Sequence, residues 1–520
     1  MKRIFYLLIA LGAVSFSQAQ TIVEGLKISG YDLNGSARYM GTAGAFGALG
    51  GDVSAIKDNP AGLGVFRKSE LTGSLGLRLQ NSSATWGGLK STDDYYSPTL
   101  NNMHLIFAGK TWREESGFSG LVGSNFAFSY EKLTNFDRNT SISGKNMTQS
   151  ITDYYANFTG KTAPANIDYD ANRNVFNNSN VGWLPIMAYY GGLIKPIYNS
   201  NNQLTEWVSL LEAGEKVSPN YRLQESGDVN SYSLGWSGNF SNRVFVGATV
   251  NLLSVNYESL STYKESFENG GNFSLSNALV NTGFGANLNL GIIAVPLDFL
   301  RIGASIHLPT TYQMELLNYS QINFNTTMDG NLKTPTNNVV NYRLQSPMQL
   351  HVSGAFMLNN KGFLSMEYVY SNYTGMKFMD ENGNSTSYDT ENTSVKNYLN
   401  KNARTLKIGA EYKLTDNIAI RAGHAIMNNT TNPNFNKFMY SNSARSDAEF
   451  FVHKNTSYFS TGIGYRENNW YIDFSYALNL INEDFVANDA TNITNTALIV
   501  PTAQVKHNYN SFVTTIGMRF

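Results

Sequence analysis

Cysteine is absent from all 520 residues, which excludes a disulfide framework, a thiol nucleophile and a zinc–thiolate site. Charge is scarce as well: Asp, Glu, Lys and Arg make up 15% of the chain, with a formal net charge of −1. With no basic run to neutralise phosphates, nucleic acid is not an expected partner. Beyond the first twenty residues no apolar run approaches the roughly 20 residues that a spanning helix needs. A mean hydropathy of −0.27 is likewise too polar for a helical membrane bundle. The six histidines (His104, His307, His351, His424, His453 and His507) are scattered one to a segment, without an i, i+4 pair. Neither a metal site nor any other cofactor is expected from them. No nucleophile elbow accompanies the serines, so no catalytic residue is assigned and the chain does not read as an enzyme.

What the chain does contain is aromatics, 31 Tyr and 30 Phe, together with 45 Gly and an abundance of Asn and Ser. The final segment places Phe512, Thr514, Ile516, Met518 and Phe520 on one face and Ser511, Val513, Thr515, Gly517 and Arg519 on the other. Such alternation recurs from Ser69 onward in about fourteen segments of roughly ten residues, the pattern of a transmembrane antiparallel β-barrel. Trp470, Ile472, Phe474, Tyr476, Leu478 and Leu480 form another apolar face, as do Leu406, Ile408, Ala410, Tyr412 and Leu414.

A soluble sandwich would show the same period of two. The connections separate the two readings, because they are expected to alternate strictly. Short ones fall at residues 238–243, 295–301, 358–362, 414–417 and 466–469; long Asn- and Ser-rich ones fall at 318–341, 379–402, 428–455 and 482–507. That is the asymmetry of periplasmic turns and outer loops in the outer membrane of a Gram-negative cell. Residues 1–19 read as a signal peptide, with Lys2 and Arg3, an apolar core and Ser17-Gln18-Ala19 before the cut. Its loss would take the formal charge to −3. The terminal strand ending on Phe520 is the expected handle for barrel assembly machinery, and outer-membrane lipid is the expected surrounding.

Two regions do not read as barrel strands. Residues 20–68 are rich in Gly and Ala and too short to bury a core alone. Within the barrel region, 69–520, residues 135–228 form a long outer insert. There Leu204, Trp207, Val208 and Leu211 have helical spacing, which predicts an apolar loop helix suited to ligand capture. The third strand, read from Gly117 to Leu133, loses its phase between Gly120 and Asn125. Gly120 and Gly123 therefore mark a kink or an ordinary bulge.

The N-terminal segment reads Gly35 to Ala48, then Asp52-Val53-Ser54-Ala55, then Asn59-Pro60-Ala61-Gly62. In this motif, just before the first strand, the chain resembles the FadL/TodX family of outer-membrane transporters for hydrophobic compounds. The resemblance implies a fourteen-stranded barrel plugged by an N-terminal hatch, with Asn59, Pro60, Ala61 and Asp52 in the hatch motif. It also implies diffusion-driven uptake by a monomer of hydrophobic small molecules such as long-chain fatty acids. Capture would occur in an outer loop groove, and release would follow a hatch shift and a third-strand kink. Taken on the residues alone, Asn59 to Gly62 is equally a tight turn that feeds the first strand. A general porin, a lipid-modifying barrel enzyme, and a structural or adhesive barrel with partner-binding loops remain alternatives.

Overall fold

A computed structural model describes residues 22–520, apart from 112–118, 168–174, 179, 213, 327–328, 337, 438 and 489–498. The leader expected at 1–19 lies outside the described residues, as does Gly117.

Fourteen antiparallel strands close into a barrel. In chain order they are Glu70–Trp86, Leu89–Lys110, Leu121–Asn135, Val217–Phe240, Val244–Phe267 and Asn272–Leu297. The seventh comes in two pieces, Leu300–His307 and Thr311–Asn325, and so does the eighth, Val339–Gln345 and Gln349–Met357. The rest are Gly362–Ser371, Ala403–Lys413, Ile418–Met427, Phe450–Arg466, Trp470–Val486 and Ala503–Arg519. The last closes on the first in unbroken register, from Glu70↔Arg519 to Thr85↔Gln504. Both divided strands break at a proline, Pro309 and Pro347, which has no amide hydrogen for the ladder. The Ser346 amide donates to the Thr310 carbonyl (2.9 Å), and the Thr310 amide donates to Ser346 Oγ (3.0 Å), so the breaks are stitched together.

The alternation has the expected polarity. Ile516, Met518 and Phe520 point outward and are exposed, whereas Val513 and Thr515 are buried. Trp470, Ile472 and Phe474 are exposed likewise, with Tyr471, Asp473 and Ser475 buried between them. An exposed apolar face repeated around a closed sheet is a surface solvated by lipid. The chain is a multi-pass outer-membrane β-barrel. Among the described residues no helix is long and apolar enough to cross a membrane.

The connections alternate less strictly than the sequence suggests. At the inner end all are short among the described residues except 111–120, within which 112–118 are not described. At the outer end, however, the first two strands join through Gly87 and Gly88 alone, both at positive φ (+54° and +79°). The fifth and sixth join at 268–271, at the top of strands 24 and 26 residues long. These strands outrun the membrane, so part of what reads as loop composition is strand standing in water. For the same reason the outer insert ends earlier than residue 228: Val217 already belongs to the fourth strand, and Arg138–Ser143 pairs with it.

The insert carries helices at Ile151–Thr159, Pro164–Ile167 and Trp183–Tyr190. Ser150 caps the first of them with a reciprocal Asp153 contact. The helix expected around Trp207 is not there. Leu204–Ser209 is a strand paired with Ile194–Tyr198. The turn between them decides this. Asn199 Oδ1 accepts from the amides of Asn201 (3.0 Å) and Gln203 (2.9 Å), and Asn202 takes φ +58°. These contacts reverse the chain into a hairpin. Trp207 is buried against Tyr189 (centroids 5.6 Å) and donates to the Thr162 carbonyl (3.0 Å). It is part of the core of a dome that also takes in Trp86, Tyr263 and Phe485 from the strand tops.

Candidate functional site: the hatch and the lumen

Residues 22–68 run through the barrel interior as short helical turns: Ile22–Ser29, Ala37–Gly41, Ser54–Ile56 and Pro60–Val65. Asn59 starts the last of these from an extended conformation (φ −139°, ψ 104°), as a residue before proline prefers. Its Oδ1 accepts from the Ala61 amide (3.1 Å). Its Nδ2 donates to the carbonyls of Gly47 (2.7 Å) and of Ile292 in the wall (3.2 Å). One side chain thus caps a turn, ties two parts of the hatch together and anchors both to the barrel. The wall meets it with glycine: a Cβ at Gly247 would stand 2.4 Å from the Pro60 carbonyl carbon, and one at Gly291 would stand 1.9 Å from Asn59 Oδ1. Ala61 is fully buried beside Phe245 and Ile293.

Asp52 works within the hatch. It accepts from Ser36 Oγ (2.9 Å) and from the Ser54 amide (3.0 Å), which closes one turn upon the next. The charges that hold hatch to wall lie nearby. Arg38 donates to Glu411 through Nε (2.7 Å) and Nη2 (2.9 Å), and Arg421 donates to the same carboxylate (2.7 Å). Asp58 takes Lys407 (3.1 Å) and the Tyr39 hydroxyl (2.6 Å), and Lys407 also meets Glu367 (3.0 Å). At the inner end of the barrel Arg421 is fully enclosed, whereas Arg519 pairs with Glu70 (3.0 Å) and Arg243 with exposed Asp298.

Above the hatch, and beneath the dome, lies a cavity of about 430 Å³. Its apolar lining includes Leu26, Leu133, Leu253, Leu279, Phe435 and Phe450; its charged lining includes Lys27, Arg138, Lys437 and Arg445. None of these ten positions on helix, strand and loop forms a motif in sequence, and only the inward phase of Leu253 and Leu279 on long strands hints at them. Leu204, Trp207, Val208 and Leu211 do not line it. Trp207 belongs to the dome, and Leu204 and Leu211 pack on it.

A second cavity of about 100 Å³ adjoins the first at Asp32, Arg78 and Asn135 and extends to Thr99 and Asn101 in the second strand. Here the wall is locally unladdered. The second and third strands pair only from Lys110↔Gly123 to Asn102↔Glu131. Above that, the second strand keeps the first strand as its partner, with a register shift at Ser74/Leu75 opposite Asn101. Side chains alone join it to Arg138–Ser143, as in the Ser91 Oγ contact with the Ser141 carbonyl (2.8 Å). At the other end of the third strand, Gly120 takes φ +113° and the register against the fourth strand shifts between Leu121 and Gly123.

No protein-family model matches the sequence, and comparison with curated proteins finds no match. Among solved structures, the fold is that of a FadL homologue from Pseudomonas aeruginosa: 12% identity, 94% of this chain and 99% of that one covered, TM-score 0.53. The chain is thus a FadL-type barrel in architecture. The toluene transporter TodX of Pseudomonas putida aligns at 11% identity over 95% and 99% of the two chains (TM-score 0.49). The toluene transporter TbuX of Ralstonia pickettii aligns at 15% identity over 95% and 100% (TM-score 0.45).

Proposed function

We propose that this barrel is a monomeric channel for diffusion-driven uptake of hydrophobic small molecules, the class that includes long-chain fatty acids and toluene. The observation that carries this reading is a largely apolar cavity inside the barrel whose axial route is filled by the hatch. A general porin would need an open polar lumen instead. A ligand entering below the dome would rest against Leu253, Leu279 and Phe450 and leave sideways through the unladdered seam at Thr99–Asn101. The second cavity supports that route, because it joins the main one to the seam. Gly120 and Gly123 would then serve as the hinge at the strand's inner end, letting its outer end move. Outer-membrane lipid would receive the cargo.

The test is uptake of radiolabelled long-chain fatty acid and of toluene by cells lacking their own transporters. The intact chain would be compared with Asn59→Ala and with a deletion of residues 20–68. Saturable apolar uptake by the intact chain, with selectivity lost in the hatch variants, is the expected result. Apolar uptake at the empty-vector level from a correctly inserted barrel would refute it.

A further inference from the structure

One cluster of ion pairs lining the upper cavity leaves a carboxyl over. Lys437 donates to Asp447 (2.6 Å), and Arg445 donates to Asp447 (2.6 Å) and Glu24 (3.1 Å). Arg138 meets Glu225 (2.5 Å) and Glu483 (2.8 Å), and Lys27 contacts Glu225 as well. These four cations are matched by the four carboxylates Glu24, Glu225, Asp447 and Glu483. Glu449 is a fifth carboxyl. It lines the same cavity at 6% exposure, and among the described residues neither of its oxygens has a hydrogen-bond partner.

A buried carboxyl without donors is costly, and the cost falls when a donor or a cation reaches it. A carboxylate ligand gains little here, because each cation of the set is already engaged and Glu449, once ionised, would repel it. Building on the uptake function above, we propose that Glu449 is the head-group site of this cavity. Its ligand is an apolar molecule whose polar end donates hydrogen bonds, a hydroxyl or an amine, rather than a carboxylate. The apolar body lies along Leu253, Leu279, Phe435 and Phe450. Burial, with Asp447 nearby, pushes the Glu449 carboxyl up to about 8, so it can receive an amine as carboxylate or pair with a hydroxyl as acid.

The test uses the full-length barrel in lipid nanodiscs and a series matched in chain length: octanol, octylamine, octanoate and octane. Binding is read by quenching of tryptophan fluorescence, with empty nanodiscs as the partition control. Octanol and octylamine should bind about tenfold tighter than octanoate, the scale of one charge-assisted hydrogen bond. In Glu449→Gln the amine should lose its advantage, and in Glu449→Leu both donors should fall to the level of octane. Comparison of octanol with octylamine identifies which donor the site prefers. Octanoate binding equal to or tighter than the donors overturns the head-group assignment and leaves the uptake function standing. If none of the four compounds binds, both fail. The ranking in unmodified protein is decisive by itself, so a variant that folds poorly does not blunt the test.

Discussion

Asn59 in the hatch and Gly291 in the wall fit against each other with no room for a side chain at the glycine. A Cβ there would lie 1.9 Å from Asn59 Oδ1, so alanine at 291 must push the hatch, the wall or both. Overpacking of this kind costs about 1–3 kcal/mol. Gly291→Ala should therefore leave a folded barrel with a displaced hatch, seen as raised single-channel conductance in planar bilayers. Conductance and thermal unfolding identical to those of the unmodified protein would show that the contact does not seat the hatch.

The Glu411 carboxylate bridges Arg38 of the hatch and Arg421 of the wall. Glu411→Gln removes the charge and leaves two buried guanidinium groups short of an anion, although Arg421 retains Asp473 (2.6 Å). Breaking one member of such a buried set costs about 3–5 kcal/mol. The loss should fall on the hatch, which reaches this carboxylate through Arg38. Protease should cut residues 22–68 of the variant while the barrel resists digestion. Equal resistance of the hatch in both proteins would show that the bridge is not its anchor.

The barrel was legible in the sequence because lipid and lumen impose opposite demands on alternate residues; the Trp470 to Leu480 face could be read without a structure. The close packing of residues 22–68 on the wall was legible through their density of small residues and the Asn59-Pro60-Ala61 turn. The lumen chemistry was not. Glu449, Lys437 and Arg445 lie in a polar outer loop where charges are ordinarily solvated, and only the fold tucks that loop beneath the dome. Trp207 misled for a different reason. Leu204, Trp207, Val208 and Leu211 fit a helical period, but the Asn199 turn commits the segment to a hairpin too short for periodicity to arbitrate.

Glu449 also gives stability a pH dependence. Its folded value of about 8 stands above the ordinary 4.5, because burial disfavours the charged form. Below pH 4.5 both states hold the proton, so the residue carries no penalty. As pH rises toward 8 the unfolded chain releases a proton that the folded one keeps, and stability falls; above 8 the penalty is constant. Glu449→Gln should match the unmodified protein near pH 4 and unfold at a higher temperature near pH 9. Heat-modifiable migration on gels reports this directly, and parallel profiles across the range would refute it.

Asn101 lies on the lateral route proposed above, where the second cavity meets the seam. It is the extra residue of the register shift against the first strand, and its Nδ2 donates to the Gly35 carbonyl of the hatch (3.2 Å). It lines the second cavity, which at about 100 Å³ has little space to spare. A bulky side chain there should close the seam without touching the main cavity, so binding and release separate. Asn101→Trp should still bind apolar ligand in nanodiscs but fail to deliver it to cells, with uptake at the empty-vector level. An axial exit past the hatch predicts the opposite: Asn101→Trp would transport normally, and only variants of Gly291 or Glu411 would change the rate.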